Sequence, residues 1–320
     1  MPAVRRVAAL AAIALCAAAA PGPEVASVLD GGDPSALYIG KAMWIYPTWS
    51  GTALYAWSSD ERHHWNKHGP LISQKEIAWI GDDGAAKHSL WAPDMLHANG
   101  RYYFYYAVGP QDPTPSRIGV AVCDGPAGPC RDSGRPLLTG GHGFEAIDPM
   151  VFRDPKSGTA YLYAGGSNGA TLRVYVLKPD LVTIDHQVQV AQPPEFTEGA
   201  FMHLRDGVYY LSYSHGRYND ATYSVHYGTA PSPTGPWHYR GVILQSDAKY
   251  KGPGHHSFVR DPASGHWLIV YHRWEGKTDD GPYKGQRRIA IQPITYRSDG
   301  TIVPIAMSGP AASIAAPSAP

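Results

Sequence analysis

The chain has 320 residues, with 27 acidic and 27 basic side chains, so its formal net charge is zero. A balanced surface sets up no field to steer nucleic acid or an anionic membrane, and neither is expected as a partner. Nine Trp, 21 Tyr, 35 Gly and 29 Pro beside only 17% charged residues exclude a helical bundle and a disordered chain. They fit an all-β protein with many turns and an aromatic core.

In chain order, "MPAVRRVAALAAIALCAAAAPGPEVAS" comes first. Arg5 and Arg6 form a positive head, an apolar run follows, and Ala18 and Ala20 precede Pro21. This pattern predicts an export signal over residues 1–20 and a periplasmic or secreted protein, free of the membrane once the signal is removed. The run is short for a bilayer span, and a retained anchor is the alternative.

A repeated pattern then begins: an acidic or polar residue, a short apolar strand, a glycine turn and an alternating aromatic strand. Asp33 opens "DPSALYIGKAMWIYPT" and Asp94 opens "DMLHANGRYYFYYAV". Asp148 opens "DPMVFRDPKSGTAYLYAGG", Glu198 opens "EGAFMHLRDGVYYLSYS", and His255 opens "HHSFVRDPASGHWLIVYH". The intervals are 61, 54, 50 and 57 residues. A second hairpin follows each copy, the last being "RRIAIQPITYRSDGTIV". Four short strands per unit describe a propeller blade. Five units predict a single-domain, five-bladed β-propeller over residues 28–306, with a disordered tail over 307–320. Within the second unit, Cys123 and Cys130 flank "DGPAGP". A local disulfide in an oxidising compartment and a pair of free thiols both fit, and no Cys/His spacing suits zinc.

The first strand of each blade lines the propeller axis. Asp33, Asp94, Asp148, Glu198 and His255 are therefore expected to meet at one mouth, where crowded carboxyls have their pKa values pushed apart for acid–base work. Asp-Pro occurs five times. At Asp112, Asp154 and Asp261 it reads as turn chemistry, whereas Asp33 and Asp148 lead into apolar strands. Trp91 in "WAPD" offers a flat face to a sugar or simply packs, and Asp94 equally suits a strand cap. His255 follows two glycines in "GPGHHS" and reads as a site residue, His256 as none. Tyr102, Tyr103, Tyr105 and Tyr106 read as packing between blades.

The ordered set "DPS", "WAPD", "AIDPMVF", "TEGAF", "GPGHHS", "VYH" and "RRIAIQPITYRSDGTIVP" resembles glycoside hydrolase family 43, five-bladed propellers acting on arabinan and xylan. The resemblance implies hydrolysis with inversion, with Asp33 as general base, Glu198 as general acid and Asp148 raising the pKa of the acid. It implies His255 at the pocket floor, in reach of a structural calcium ion or water cluster at the axis, and Arg287 facing the carboxylates, where it would keep Asp148 charged. Trp91 and Asp94 join His255 and Arg287 as expected substrate contacts. No cofactor is required, carbohydrate is the partner and a monomer is expected. Arabinofuranosyl linkages are the first choice of substrate and xylosyl the second, with exo-galactanase action further off. Gly32 and Ala200 depart from the residues common at their positions in the family, which leaves substrate choice open. A β-fructosidase of related fold would carry "RDP" and "EC", where this chain has "IDP" and "TEG". A non-catalytic carbohydrate-binding propeller would lack one of the three acids, and all are present.

Overall fold

The computed structural model describes residues 26–167 and 169–307. The expected export signal and nearly all of the expected tail lie outside these residues. The chain enters through a two-residue strand, β1 (Leu29–Asp30). Blade 1 follows as β2 (Gly32–Ile39), β3 (Ala42–Thr48), β4 (Ala53–Ser59) and β5 (Asn66–Ser73). Blade 2 is β6 (Leu90–Ala98), β7 (Arg101–Val108) and β8 (Arg117–Cys123), with β9 (Cys130–Asp132) and β10 (Leu138–Thr139) sharing its outer edge. Blade 3 is β11 (Met150–Arg153), β12 (Ala160–Ala164), β13 (Arg173–Leu177) and β14 (Ile184–Val188). Blade 4 is β15 (Glu198–Arg205), β16 (Val208–His215), β17 (Ser224–Ala230) and β18 (His238–Leu244). Blade 5 is β19 (Tyr250–Arg260), β20 (Trp267–Glu275) and β21 (Arg288–Pro293). The sheets are antiparallel, and the molecule is a five-bladed β-propeller. A disulfide joins Cys123 to Cys130, which selects between the two states the sequence left open.

Each sheet is covered on both faces by neighbouring blades, so its strands are buried on both faces. Phe104 and Tyr106 of β7 pack toward blade 1 with Tyr46 and Leu54, while Tyr103 and Tyr105 of the same strand pack toward blade 3 with Val151 and Leu162. That is why "RYYFYY" is aromatic without interruption. Equivalent cores fill the joints between blades 3 and 4, 4 and 5, and 5 and 1. At about 25 cal/mol per Å² of apolar surface buried, these five joints are where the fold gains its stability.

The last blade departs from the repeat. "TYRSDGTIV" does not supply its fourth strand. That segment closes a single bridge, Tyr296 to Ile302, and lies on blade 4, where Tyr210 Oη donates to the Gly300 carbonyl and Ile302 N–H donates to Tyr227 Oη. The fourth strand is β1, with Leu29 opposite Ile289 and Asp30 opposite Arg288. The chain thus closes its ring by laying its described N-terminal end on its last blade. Two residues are too short a stretch to carry a repeat, so this strand leaves no pattern in the sequence.

Candidate active site

The innermost strands begin with a common irregularity. The ladder to the second strand skips between Gly32 and Ser35, Trp91 and Asp94, and Glu198 and Phe201, and again around Gly254. A residue with positive φ marks the same place in every blade: Asp33 at 50°, Ala92 at 40°, Asp148 at 54°, Gly199 at 62° and His255 at 37°. These five are the true equivalents, and the register expected from sequence needs correcting. Glu198 stands one residue before the bulge and Asp94 two residues after it. A bulge re-aims the side chains around it, and four of the five positions hold a residue other than glycine in a conformation that costs roughly 1 kcal/mol or more.

The position just before the bulge is also used in a consistent way. It is Gly32, Trp91, Ile147, Glu198 and Gly254 in the five blades. A Cβ at Gly32 would fall 2.0 Å from Cζ of Arg287, and one at Gly254 would fall 2.0 Å from Cε1 of Tyr223. Two missing side chains therefore admit Arg287 and Tyr223 to the mouth. The indole of Trp91 lies over Gly109, and Glu198 lies over Gly166.

Asp33 is the most heavily partnered acid. Arg287 grips it with both guanidinium arms, at 2.5 and 2.9 Å, and His255 Nδ1 stands 3.3 Å from Oδ1. Its backbone N–H donates to His272 Nδ1 at 3.1 Å. Burial alone would raise its pKa. Arg287, then His255 and His272, outweigh that and hold it well below the usual carboxylate range. Glu198 has no cationic partner among the described residues. Its Oε1 accepts from Tyr223 Oη at 2.8 Å, and its Oε2 accepts from Ser167 N–H and Oγ, both at 3.3 Å. Burial dominates there, the Tyr223 hydrogen bond opposes it, the charge of Asp33 adds to it, and the pKa is raised. Asp148 accepts one bond, from Gly199 N–H at 3.1 Å, and lies 3.5 Å from His255 Nδ1. Burial and the charges of Glu198 and Asp33 push it well above its ordinary value.

The mouth thus holds one acid as an anion and makes the other two compete for protons. Arg287 was expected to keep Asp148 charged; its charge does pull the Asp148 pKa down, but burial and the charges of Glu198 and Asp33 outweigh it. The guanidinium is committed to Asp33, because β21 runs beside the β1–β2 junction and Gly31 N–H donates to the Arg287 carbonyl at 2.9 Å. Arg288, the next residue, turns outward to Asp30.

Asp94 also differs from expectation. One carboxylate oxygen accepts from Ser35 Oγ at 2.7 Å and the other from Val151 N–H at 2.8 Å. Both oxygens are spent tying blade 2 to blades 1 and 3, and burial pushes the pKa up to about 6 against these bonds. Asp94 thus ties neighbouring blades together, the strand-capping role the sequence also allowed, as follows from its place two residues beyond the bulge. Below the mouth the axis narrows to a cavity of about 20 Å³ lined by all five blades, Asp94 and His256 among them, which is too small for a sugar. A hard cation such as calcium takes six to eight oxygens. Among the described residues no group of three or more His, Cys, Asp or Glu is placed to hold a metal, and His255 Nδ1 already faces Asp33 and Asp148. This donor set does not fit a directly ligated calcium ion.

Tyr223, Ser167 and His272 were missed from sequence. His272 lies inside the "VYH" motif without a role being evident, and Tyr223 and Ser167 sit in turn-rich loops with no distinguishing spacing.

A family model described as glycosyl hydrolases family 43 matches residues 27–302. A β-D-galactofuranosidase of Aspergillus niger is 31% identical over 291 residues, covering 85% of this chain and 82% of that protein. Xylosidase/arabinosidase 43A of Humicola insolens is 31% identical over 282 residues, covering 74% of this chain and 79% of its own. Among solved structures, a family 43 enzyme from Xanthomonas citri superposes with a TM-score of 0.72 at 26% identity, over 89% of this chain and 95% of that one. A β-xylosidase/α-arabinofuranosidase from a compost metagenome, solved with xylotriose in a calcium-free form, gives 0.70 at 26% identity, over 89% and 98%.

Proposed function

Because the chain belongs to glycosyl hydrolases family 43 and is a glycosidase, we propose that it is an exported enzyme that removes arabinofuranosyl units, and secondarily xylosyl units, from plant-type polysaccharides or oligosaccharides by single displacement with inversion. The observation that carries this reading is the opposite treatment of two acids in one mouth. Asp33 is paired with a buried guanidinium, and Glu198 is buried with hydroxyl and amide donors only. Asp33, held as an anion, takes a proton from the water that attacks the anomeric carbon. Glu198, holding a proton, gives it to the glycosidic oxygen as the bond to that carbon breaks. The new C–OH bond forms on the opposite sugar face. Asp148 keeps the Glu198 proton in place, because a second negative charge beside it is disfavoured. Trp91, at the Glu198-equivalent position in blade 2, supplies a stacking face at the rim. The furanoside named for the Aspergillus niger relative and the pentosides named for the Humicola insolens relative favour a small glycone. The N-terminal export pattern favours a substrate met outside the cytoplasm.

The test is a panel of nitrophenyl α-L-arabinofuranoside, β-D-xyloside and β-D-galactofuranoside with arabinan and arabinoxylan, read by product chromatography and by NMR of the first-formed anomer. The expected result is arabinose release with inverted configuration. A retained anomer would overturn single displacement. Release of xylose alone would move the substrate to the second choice.

A further inference from the structure

Two fully buried side chains stand between the acid and the base. Tyr223, just ahead of β17, donates to Glu198 Oε1 at 2.8 Å and sits in the space left by Gly254. Its ring stacks on that of His272 in β20, with centroids 5.6 Å apart and planes 11° from parallel. His272 Nδ1 in turn accepts the backbone N–H of Asp33, 239 residues away in the chain. A continuous path therefore runs from acid to base: Glu198, Tyr223, His272, Asp33.

The path is costly in a way that packing alone does not explain. Since His272 Nδ1 accepts, its proton lies on Nε2, and that buried Nε2 has no hydrogen-bond partner among the described residues. Leaving a buried donor unmet is unfavourable, and an apolar ring would stack without that cost. What the imidazole adds is an acceptor for the N–H of Asp33, a residue held at positive φ. Tyr223 likewise adds one hydroxyl, aimed at Glu198. Arg287 and His255 face the Asp33 carboxyl directly, and His255 faces Asp148 as well. His272 Nδ1 lies 3.5 Å from Asp33 Oδ1 and is the group that also holds the backbone N–H of Asp33.

We propose that the Tyr223–His272 stack is a positioning strut that fixes the separation and facing of Glu198 and Asp33. Inversion needs its two carboxyls roughly 6.5–9.5 Å apart, with a water between base and sugar, and a misplacement of about 1 Å costs on the order of 100-fold in rate. Three blades supply the acid, the strut and the base, and ridged packing of buried rings is the stiffest connection available between them. The inference rests on the roles of Glu198 and Asp33 given above.

The experiment compares Tyr223→Phe, His272→Phe and Glu198→Ala on the methyl and dinitrophenyl glycosides of the sugar identified by the panel, with thermal melts of each variant. Tyr223→Phe keeps the stack and loses the hydroxyl's hold on the acid, together with its hydrogen bond to Ser214. It is expected to lose about 10- to 100-fold in kcat on the methyl glycoside, less than about threefold on the dinitrophenyl glycoside, and little in KM. His272→Phe loses the hold on the base and is expected to fall by about 10- to 100-fold on both substrates. Folded variants with wild-type kcat on both substrates would overturn the strut, as would equal loss on both from Tyr223→Phe. If His272→Phe does not fold, Tyr223→Phe decides alone. A Glu198→Ala enzyme that loses equally on both substrates would overturn the acid assignment, and the strut with it. Leaving-group selectivity in Glu198→Ala together with a wild-type Tyr223→Phe would overturn the strut only.

Discussion

Strand β11 is four residues long and has Asp-Pro at either end. Asp148–Pro149 enters it at the mouth, and Asp154–Pro155 leaves it at the opposite face. Both carboxyls are buried, yet they are treated in opposite ways. Asp154 accepts from Lys156 N–H, Ser157 N–H, Ser157 Oγ and Tyr209 Oη, at 2.7 to 3.3 Å. Burial would raise its pKa, but Ser157, Lys156 and Tyr209 more than offset that, and it is lowered. Asp148 has a single backbone donor and two carboxyl neighbours, and it is raised well above its ordinary value. Asp261, in the matching hairpin of blade 5, repeats the Asp154 arrangement with Ala263, Ser264 and Arg62. The same dipeptide is a turn fastener where local donors surround it and a reactive acid where they are withheld.

Substitutions can break or sharpen this contrast, and the largest effect belongs to the mouth. Asp33→Ala is expected to lower kcat by about 10²- to 10⁴-fold, with partial rescue by azide. A rate within a few-fold of wild type would remove the base from the account.

Next in size is Arg287→Gln. Without the guanidinium, burial is left to raise the Asp33 pKa, so the acid limb of the kcat/KM profile should move to higher pH. In the wild type that limb lies low, and activity is lost instead as pH rises through the raised pKa of Glu198. An acid limb that stays put in Arg287→Gln would show that Asp33 does not set it.

Asp148→Asn should separate activity from stability. A carboxyl whose folded pKa lies above its unfolded value contributes stability at low pH that is lost as pH rises from the unfolded toward the folded pKa. At neutral pH the amide removes that loss, and its oxygen can still accept from Gly199 N–H. The melting temperature is expected to rise by about 1–2 °C, what roughly 1 kcal/mol is worth at this chain length, while kcat on poor leaving groups drops by about tenfold or more. A lower melting temperature would mean that Asp148 is a structural acid after all.

Asp154→Ala is the counterpart with the smallest effect on catalysis. Its lowered pKa makes its contribution to stability present above the unfolded value of 3.8 and lost as pH falls through the folded one. Removing it should cost about 1–3 kcal/mol of stability at neutral pH through unmet donors, read by denaturant titration, with kcat within about twofold of wild type. A large loss of activity in the folded variant would erase the distinction between the two ends of β11.

Much of this was legible in the chain itself. Asp33 and Asp148 could be separated from Asp154 and Asp261 because the former lead into apolar strands and the latter sit in "RDPKSG" and "RDPASG", which carry their own Ser and backbone donors. Glu198 was visible as a charge entering a buried strand. The register of the ring was not, because each bulge takes an extra residue and motifs aligned by their acids slip by one or two positions. Asp94 was misplaced for that reason. Arg287 was expected at the mouth, but which acid it would hold depends on where β21 lies against β1 and β2.

What the sequence determined by itself is local. Alternation and turns make five four-stranded units, aromatic runs reflect sheets covered on both faces, and short motifs nominate the acids. The tertiary structure decided the rest, because each acid's proton affinity depends on groups tens to hundreds of residues away. Closing the ring with β1 on β21 sets Arg287 and His272 against Asp33, and the stacking of blades sets Tyr223 against Glu198. Those contacts span different blades, and a chain carries no periodic signal for side chains that meet only when a ring is closed.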